Sequence, residues 1–252
     1  MPGPARPDSV RDMYYDREDP PAPDAIVWRY MDLAKYLSLI RHSALHFSRR
    51  VQLEALDPWE GYLGPLLTDE EREFLEPWQR RPYVNCWHVA AVESAAMWEV
   101  YRGRGFGVAI RSTWGRLGAS LNTREEPAVW GERVRYVDYG VDGPVWGNVY
   151  NPLFVKREAF AFEQEARLLV QSVSDDGPEA LAVHVDLELL IEHVVVSPYE
   201  PEWVTNLIVD VTAEVLPTTP VTGSKLLQPP LPPGGSRASS DPGNPKEIAD
   251  AR

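Results

Sequence analysis

Hydrophobic and polar residues alternate along several short stretches of the chain, which is the pattern of a β-strand with one buried face. The first of them is residues 25–30, where apolar positions are interrupted by a single cation, Arg29. On this pattern we predict strands at residues 25–30, 44–48, 83–88, 107–111, 134–139, 180–185 and 193–197. Between them lie stretches in which the apolar residues recur at helical spacing instead.

The predicted helices begin at residues that can cap the free N–H groups of a first turn. Thr68 and Glu71 have the spacing of a capping box. Pro201 has the fixed backbone angle that suits a first helical turn. We predict helices after Asp32, after Thr68 to about residue 79, over residues 93–101, after Ser112 or Thr113, after Asp186, and from Pro201 to about residue 213.

The predicted strands and helices are interspersed without a regular strand–helix–strand period, which favours an α+β fold over a doubly wound parallel sheet. We therefore predict a single domain over residues 25–228, with a mixed or antiparallel sheet surrounded by helices. Residues 1–24 are polar and rich in proline, and residues 229–252 are rich in Pro, Gly and Ser. Such segments bury too little apolar surface to fold, so both are predicted to be disordered.

The amino-acid composition limits which classes of molecule the protein is expected to bind. The chain has 25 Lys+Arg against 38 Asp+Glu, a net charge of -13, which argues against a nucleic-acid backbone as the main partner. The single cysteine, Cys86, cannot form an internal disulfide. Neither a signal peptide nor an apolar run of the roughly 20 residues that span a bilayer is evident. We expect a cytoplasmic protein with no membrane contact.

The most polar segment of the predicted domain is residues 156–167, where three carboxylates and three cations precede an apolar run. If residues 163–170 form a strand, Glu163, Glu165 and Arg167 point to one face and mark a possible site. If the segment is helical, Glu163 and Arg167 pair on an exposed face and Glu165 points away. A structural network of ion pairs would produce the same pattern. We predict a strand, with Glu165 and Arg167 on the same side.

Arg29 is a cation within an otherwise apolar strand, so it requires an anionic partner when buried. The sequence offers three: Glu163, Glu165 or the phosphate of a ligand. The five histidines lack the spacing of metal ligands, so no metal is expected. The glycines of residues 103–107 follow a helix, whereas a dinucleotide-binding fingerprint follows a strand. Ser94 and Trp98 lie on a predicted helix, where core packing is the simpler interpretation.

Several stretches, taken in order, resemble the bacterial domain of unknown function 2971 family. The resemblance covers residues 26–228, and the family implies no activity by itself. The stretches are Trp28-Arg29-Tyr30-Met31-Asp32, Leu45-His46-Phe47-Ser48, Asp57-Pro58-Trp59-Glu60, Val84-Asn85-Cys86-Trp87, residues 93–101, 105–110 and 134–139, and Lys156 through Arg167.

A second resemblance, to the ADP-ribosyltransferase fold, implies roles for individual residues. Arg29 would hold the phosphates of NAD, the substrate, and Ser48 or Ser94 would be the hydroxyl of the middle strand. Glu165, or Glu163 as the second choice, would be the late acid that completes the site. The remaining residues expected at the cofactor are Tyr30, Trp98 and Arg167. A carboxylate there can stabilise the positive charge that develops on the ribose.

The resemblances together imply an ADP-ribosyltransferase-like enzyme or an NAD-binding protein, linked to bacterial defence or toxin–antitoxin systems. The acceptor, protein or nucleic acid, and the oligomeric state stay open. The main alternative is a non-enzymatic interaction protein whose charged segment forms a buried ion-pair network. An effector that uses acidic residues with a divalent ion is disfavoured, because the acids are not spaced as a compact cage.

Overall fold

Within the described residues, nine strands form one sheet, in which each neighbouring pair is antiparallel except one. The computed structural model of the chain describes residues 19–55, 57, 59–61, 68–102, 105–121, 129–140, 150–172 and 177–229. In chain order the strands are β1 (Ile26–Asp32), β2 (Ala44–Arg49), β3 (Tyr83–Val89), β4 (Gly107–Thr113), β5 (Val129–Arg133), β6 (Arg135–Val137), β7 (Val155–Arg157), β8 (Glu165–Val170), β9 (Ala180–His184), β10 (His193–Val196) and β11 (Val221–Gly223).

The sheet has the order β11-β10-β4-β1-β3-β2-β9, and β8 pairs with the other edge of β3 and with β5. Strands β6 and β7 form a separate parallel pair. Strand β3 is central because three strands pair with it. On one edge β1 pairs with its C-terminal half and β2 with its N-terminal half, so β1 and β2 diverge from a shared neighbour. On the opposite edge β8 pairs along its whole length.

Helices cover both faces of this sheet. They are α1 (Leu33–His42), α2 (Asp69–Arg80), α3 (Ala95–Arg102), α4 (Trp114–Ser120), α5 (Leu187–Leu190) and α6 (Glu202–Val215). The main hydrophobic core lies on one face, under α1, α4, α5 and α6. On the other face α3 covers a smaller aromatic core, and β6 and β7 lie over β8. No helix in the described part of the chain is long and apolar enough to cross a bilayer.

Where the sequence predicted a capping side chain, the helix begins at that side chain in the structure. Asp32 accepts a hydrogen bond from the backbone N–H of Lys35 at 2.8 Å, and Thr68 and Glu71 form the capping box. Thr113 caps α4 and Asp186 caps α5. The α+β class and the mixed sheet are confirmed.

Two boundaries differ from the prediction. Residues 19–24, assigned to the disordered arm, pack on the domain: the carbonyls of Asp19 and Pro23 accept hydrogen bonds from Arg133 and Gly115. These main-chain bonds could not be anticipated from a polar composition. The strand predicted at 134–139 is shorter, and β5, β7 and β11 were not predicted. Residues 1–18 and 230–252 lie outside the described residues, so their predicted disorder stays a prediction.

Candidate functional site

The charged segment forms the strand that its sequence pattern predicts. Strand β8 starts at Glu165, directly after a 3₁₀ turn, Glu158–Glu163, and a left-handed residue, Gln164 with φ 40°. Glu165 and Arg167 point to the same face, as predicted, because they are two residues apart on a strand. Glu163 lies before the strand, yet the turn brings its side chain to the same place.

Five residues form what we call the charged cluster: Glu60, Lys156, Glu163, Glu165 and Arg167. The guanidinium of Arg167 binds both carboxylate oxygens of Glu165, with distances of 2.6 Å from Nε to Oε1 and 3.0 Å from Nη2 to Oε2. Nζ of Lys156 lies 3.2 Å from Oε2 of Glu165 and also pairs with Glu163. Glu60 pairs with Arg167 and lies 3.9 Å from Lys156. Three carboxylates therefore meet two cations.

The cluster is buried, and its members differ in how far they reach solvent. The Arg167 side chain is 1% exposed, whereas that of Glu163 is 20% exposed. A second pair, between Asp57 and Arg157 with a distance of 2.7 Å from Oδ1 to Nη2, adjoins the cluster. Because Glu163 is the most exposed member, an external molecule would meet its carboxylate first.

The two acids of the predicted site have opposite electrostatics. Burial opposes the ionisation of Glu165, but the charges of Arg167 and Lys156 outweigh it and hold the pKa of Glu165 well below its usual range. Burial raises the pKa of Glu163, and the nearby charge of Glu165 adds to this rise, while Lys156 opposes it. Glu165 is therefore a permanent counter-ion of Arg167, and Glu163 is the acid that can exchange a proton.

Three further predicted residues lie on the same face of the sheet, under α3. The ring of Tyr30 meets Trp98 edge to face with 4.8 Å between centroids, and its hydroxyl accepts a hydrogen bond from the backbone N–H of Ser94 at 2.8 Å. Nε1 of Trp98 donates to Glu93 at 2.9 Å. Tyr30 and Trp98 are both buried. The structure thus brings Tyr30, Ser94 and Trp98 together, as parts of a packed aromatic core.

Ser48 lies on β2 opposite Val84, on the N-terminal half of β3. It is half-buried. Ser48 and Ser94 are therefore in different parts of the sheet, and Ser94 is the one that meets Tyr30.

Arg29 does not meet either predicted acid. Its Nη1 donates to the backbone carbonyl of Cys86 at 2.5 Å, and its guanidinium lies 6.0 Å from the centre of the Trp87 ring. The expectation that Glu163 or Glu165 pairs with it is therefore wrong. The physical reason is the divergence of β1 and β2, which leaves the Cys86 carbonyl without a strand partner, and Arg29 satisfies it.

The gap between β1 and β2 is bordered by side chains that replace missing strand hydrogen bonds. Besides the bond of Arg29, Nδ2 of Asn85 donates to the carbonyl of His46 at 2.9 Å, and Oδ1 of Asn85 accepts from Trp87 at 2.7 Å. Glu165 lies on β8, at the other edge of β3. Strand β3 therefore separates Arg29 from the charged cluster.

Residues that sequence reasoning did not assign to the site complete it. Glu60 and Lys156 are essential members of the charged cluster, although Glu60 lies about a hundred residues before its partners in the chain. His88 joins the two neighbourhoods: Nδ1 lies 2.6 Å from the backbone carbonyl of Glu163, and its ring lies 6.0 Å from that of Tyr30. The one signal for His88 was its place two residues after Cys86 on a predicted strand.

Other potential chemistry in the described residues is limited. Burial raises the pKa of the Cys86 thiol, with a further contribution from Glu165, so the thiol stays protonated and weakly nucleophilic. No group of three His, Cys, Asp or Glu side chains in these residues is arranged to hold a metal ion. A cleft of about 440 Å³ beside α2 contains none of the predicted site residues; it is lined by Arg49, Val51, Glu73, Glu76, Pro77 and Arg80.

The chain was compared with protein-family models and with curated proteins, and neither comparison found a match. The two resemblances noted from the sequence therefore stay predictions, and the arguments about function that follow are based on the geometry of the chain itself.

Proposed function

We propose that the protein binds a phosphate-bearing small molecule, with NAD as the first candidate, through Arg29 in the gap between β1 and β2. The observation that carries this proposal is the set of contacts of Arg29. Its guanidinium uses one donor, on the Cys86 carbonyl, and no carboxylate pairs with it among the described residues. A half-buried cation without a counter-ion is an anion-binding candidate.

The contrast with Arg167, which is fully buried, supports this assignment. Arg167 has two carboxylate partners and donates to the carbonyl of Leu153, so its charge is fully used within the protein. The guanidinium of Arg29 presents a planar set of donors that matches a phosphate. Trp87 lies beside its guanidinium and limits its orientation.

In the enzymatic form of the proposal, the ligand is NAD and the reaction is transfer of its ADP-ribose. A carboxylate must then stabilise the positive charge on the ribose. Glu165 is occupied by Arg167 and Lys156, so we assign this role to Glu163, which is the more exposed of the two. Arg29 lies next to Trp28, the cross-strand partner of His88, so Arg29 and Glu163 are on opposite faces of the sheet. The enzymatic form therefore requires a ligand that passes through the gap between β1 and β2.

A second candidate function, that of a non-enzymatic interaction protein, has a specific observation in its favour. Arg167 makes a bidentate contact with the carboxylate of Glu165, and such a contact is expected in a purely structural network of buried ions. In that case the charged cluster holds β7 and its turn onto β8, and the protein acts through an interaction rather than a reaction. Binding at Arg29 is compatible with this candidate, whereas turnover is not.

Calorimetric titration with NAD tests binding. We expect the wild-type protein to bind, and Arg29→Gln to bind roughly 10- to 100-fold more weakly, the effect of losing one charge-assisted hydrogen bond. Arg111→Gln is the matched control, because Arg111 is a partly exposed arginine of β4 paired with Glu192. Absence of heat with the wild type, or equal affinity in Arg29→Gln, would contradict the proposal.

Release of nicotinamide tests the enzymatic form separately. It is measured for wild type, Glu163→Gln and Glu165→Gln with candidate acceptors present. Loss of turnover with retained binding in Glu163→Gln supports the assigned role. Binding by a folded wild type that never releases nicotinamide would favour the non-enzymatic candidate.

A further inference from the structure

The last helix, α6, has an exposed apolar surface that the proposed function does not use. Val204, Ile208 and Thr212 of this helix face the core and are buried. The solvent-facing side carries Trp203, which is 57% exposed, and Leu207, which is 41% exposed, one helical turn apart. Neighbouring large apolar side chains that remain exposed indicate an interaction surface, whereas isolated ones are ordinary.

Phe106 extends this apolar surface and holds the Trp203 ring in position. The two rings meet edge to face, with 5.2 Å between their centroids. The Phe106 side chain is itself 37% exposed, and its backbone carbonyl accepts a hydrogen bond from the N–H of Leu33 at 2.8 Å. This bond attaches the turn at Phe106 to the start of α1. A Trp ring that is already held in place loses little conformational freedom when a partner binds it.

Two acids continue the exposed side of α6 towards its C-terminal end. Asp210 and Glu214 follow Leu207 at helical spacing and are both exposed. Four residues therefore form one row along the helix, which we call the α6 stripe: Trp203, Leu207, Asp210 and Glu214. Neither acid of the α6 stripe pairs with a cation in the part of the chain that the structure describes, and α6 itself contains no Lys or Arg.

The acids of the α6 stripe do not stabilise the helix that carries them. Glu214 lies in the last turn, where the negative end of the helix dipole favours cations. Asp210 and Glu214 have the i, i+4 spacing at which like charges repel each other. Glu202, by contrast, lies in the first turn, where an acid is favourable. The C-terminal half of the α6 stripe therefore carries a negative potential that a cationic partner would neutralise.

We propose that the α6 stripe is a docking surface for a basic amphipathic helix of a partner protein. A helix fits because its own side chains repeat with the same spacing as the row on α6. The apolar residues of the partner cover Trp203, Leu207 and Phe106, and its Lys or Arg side chains meet Asp210 and Glu214. The apolar and acidic halves of the α6 stripe are separated by roughly 10 Å, so the partner needs cations about two helical turns from its apolar residues.

The dipoles of the two helices favour an antiparallel arrangement. In that arrangement the positive N-terminal end of the partner helix lies beside the acidic C-terminal half of the α6 stripe. The cations of the partner then precede its apolar residues in sequence. The proposal does not depend on Arg29 or on the proposed function.

The charge of the α6 stripe disfavours the other occupants of an exposed apolar surface. A second copy of the chain would place acids opposite acids in a parallel pairing, and acids opposite Trp203 or Leu207 in an antiparallel one. A membrane surface carries anionic lipids, and helices that lie on it have Lys or Arg on their polar face, which α6 lacks.

Fluorescence anisotropy with a labelled helical peptide tests the proposal on the full chain. The probe has Lys at positions i and i+4 and Leu at positions i+7 and i+11, which is the antiparallel complement of the α6 stripe. A peptide of the same composition in scrambled order is its control. We expect the wild type to bind the patterned peptide at least roughly 10-fold more tightly than the scrambled one. Equal affinity for the two peptides would overturn the proposal.

Substitutions in the apolar half of the α6 stripe locate the binding. Trp203→Ala should weaken binding of the patterned peptide at least roughly 10-fold, and Leu207→Ser should weaken it in the same direction. Leu189→Ser on α5 is the matched control, because Leu189 is 42% exposed, almost the same as Leu207. Circular dichroism checks that each variant is folded. A loss in Leu189→Ser as large as that in Leu207→Ser would contradict docking at α6.

Substitutions in the acidic half test the charge of the partner. The double variant Asp210→Asn/Glu214→Gln should bind the patterned peptide roughly 3- to 10-fold more weakly at low salt, and the difference from wild type should shrink as salt is added. Glu70→Gln/Glu73→Gln, which removes two exposed acids of α2, changes the net charge equally and should leave binding unchanged. Equal losses in the two double variants would reduce the effect to overall charge and overturn the proposal.

Two further measurements identify the other occupants. A wild-type dimer in analytical ultracentrifugation that becomes a monomer in Leu207→Ser would assign the α6 stripe to a second copy. Binding to phosphatidylserine vesicles that is lost in Trp203→Ala would assign it to a membrane surface. Either result would overturn the proposal, whereas we expect a monomer–dimer balance unaffected by Leu207→Ser and no vesicle binding through Trp203.

Discussion

Replacing Arg167 with methionine tests the charged cluster most severely. Methionine fills a similar length but removes the charge, both contacts to Glu165, the pairing with Glu60 and the hydrogen bond to the Leu153 carbonyl. Lys156 would then be the single cation of the cluster facing three carboxylates. Removing one partner from a buried network costs about 3–5 kcal/mol, because the remaining charges stay buried and unpaired. For a chain of this size that is a fall in Tm of roughly 6–20 °C.

Thermal and urea unfolding followed by circular dichroism measure this loss of stability. Glu192→Gln is the control, because it breaks an ion pair near the surface. Glu192 pairs with Arg111 at 2.9 Å near the surface, so breaking that pair should cost less than about 1 kcal/mol. Because the folded-state pKa of Glu165 is depressed, its contribution is present above its unfolded pKa and is lost as pH falls. The gap between wild type and Arg167→Met should therefore narrow in acid. A Tm within 2 °C of wild type at pH 7 would refute a stabilising network.

Three further substitutions test other parts of the account. The folded-state pKa of Glu163 is raised, so the stabilising contribution of this residue is present below its unfolded pKa and is lost as pH rises. Glu163→Gln should therefore match or exceed the stability of the wild type at pH 7. A clear fall in Tm at that pH would contradict this. Trp98→Ala should cost about 3–5 kcal/mol, whereas Trp203→Ala, 57% exposed, should cost about 0.5 kcal/mol, and similar losses in a urea titration would disprove the core role of Trp98. Asp32→Ala should cost about 1 kcal/mol, and unchanged unfolding would count against its cap.

The local features of the fold were visible in the sequence, because a few adjacent residues determine them. Asp32, Thr68 and Glu71 cap helices through bonds to residues three positions away, and the change from charged to apolar residues marks the start of β8. Strands β5, β7 and β11 were missed. β7 and β11 have three residues each, too few to show an alternating pattern, and β5 contains Gly131, which interrupts one.

The candidate site depends on pairings that no local pattern contains. The partner of Arg167 at Glu60 comes from a turn far along the chain, and nothing near Glu60 in sequence indicates it. Of the three partners that the sequence offered for Arg29, the two acids are ruled out for a topological reason. Its anionic partner was inferred from the cost of burying a charge, but where β1 and β2 separate, a free backbone carbonyl of β3 occupies one donor instead.

Tyr30 and Trp98 show that residue type alone does not distinguish a ligand-binding side chain from a core side chain. Both were expected at a cofactor because aromatic rings stack on bases, and the structure places them in a buried core with Ser94. The alternative interpretation of the same helix, a face of core residues, describes Trp98 better. Burial, which decides between the two, is a property of the whole fold.

The central claim is that Arg29 binds the phosphate of a ligand in the gap between β1 and β2. A crystal structure of the protein soaked with NAD tests it directly. The account predicts a phosphate oxygen within hydrogen-bonding distance of the Arg29 guanidinium. NAD bound elsewhere, with Arg29 still contacting the Cys86 carbonyl alone, would contradict it.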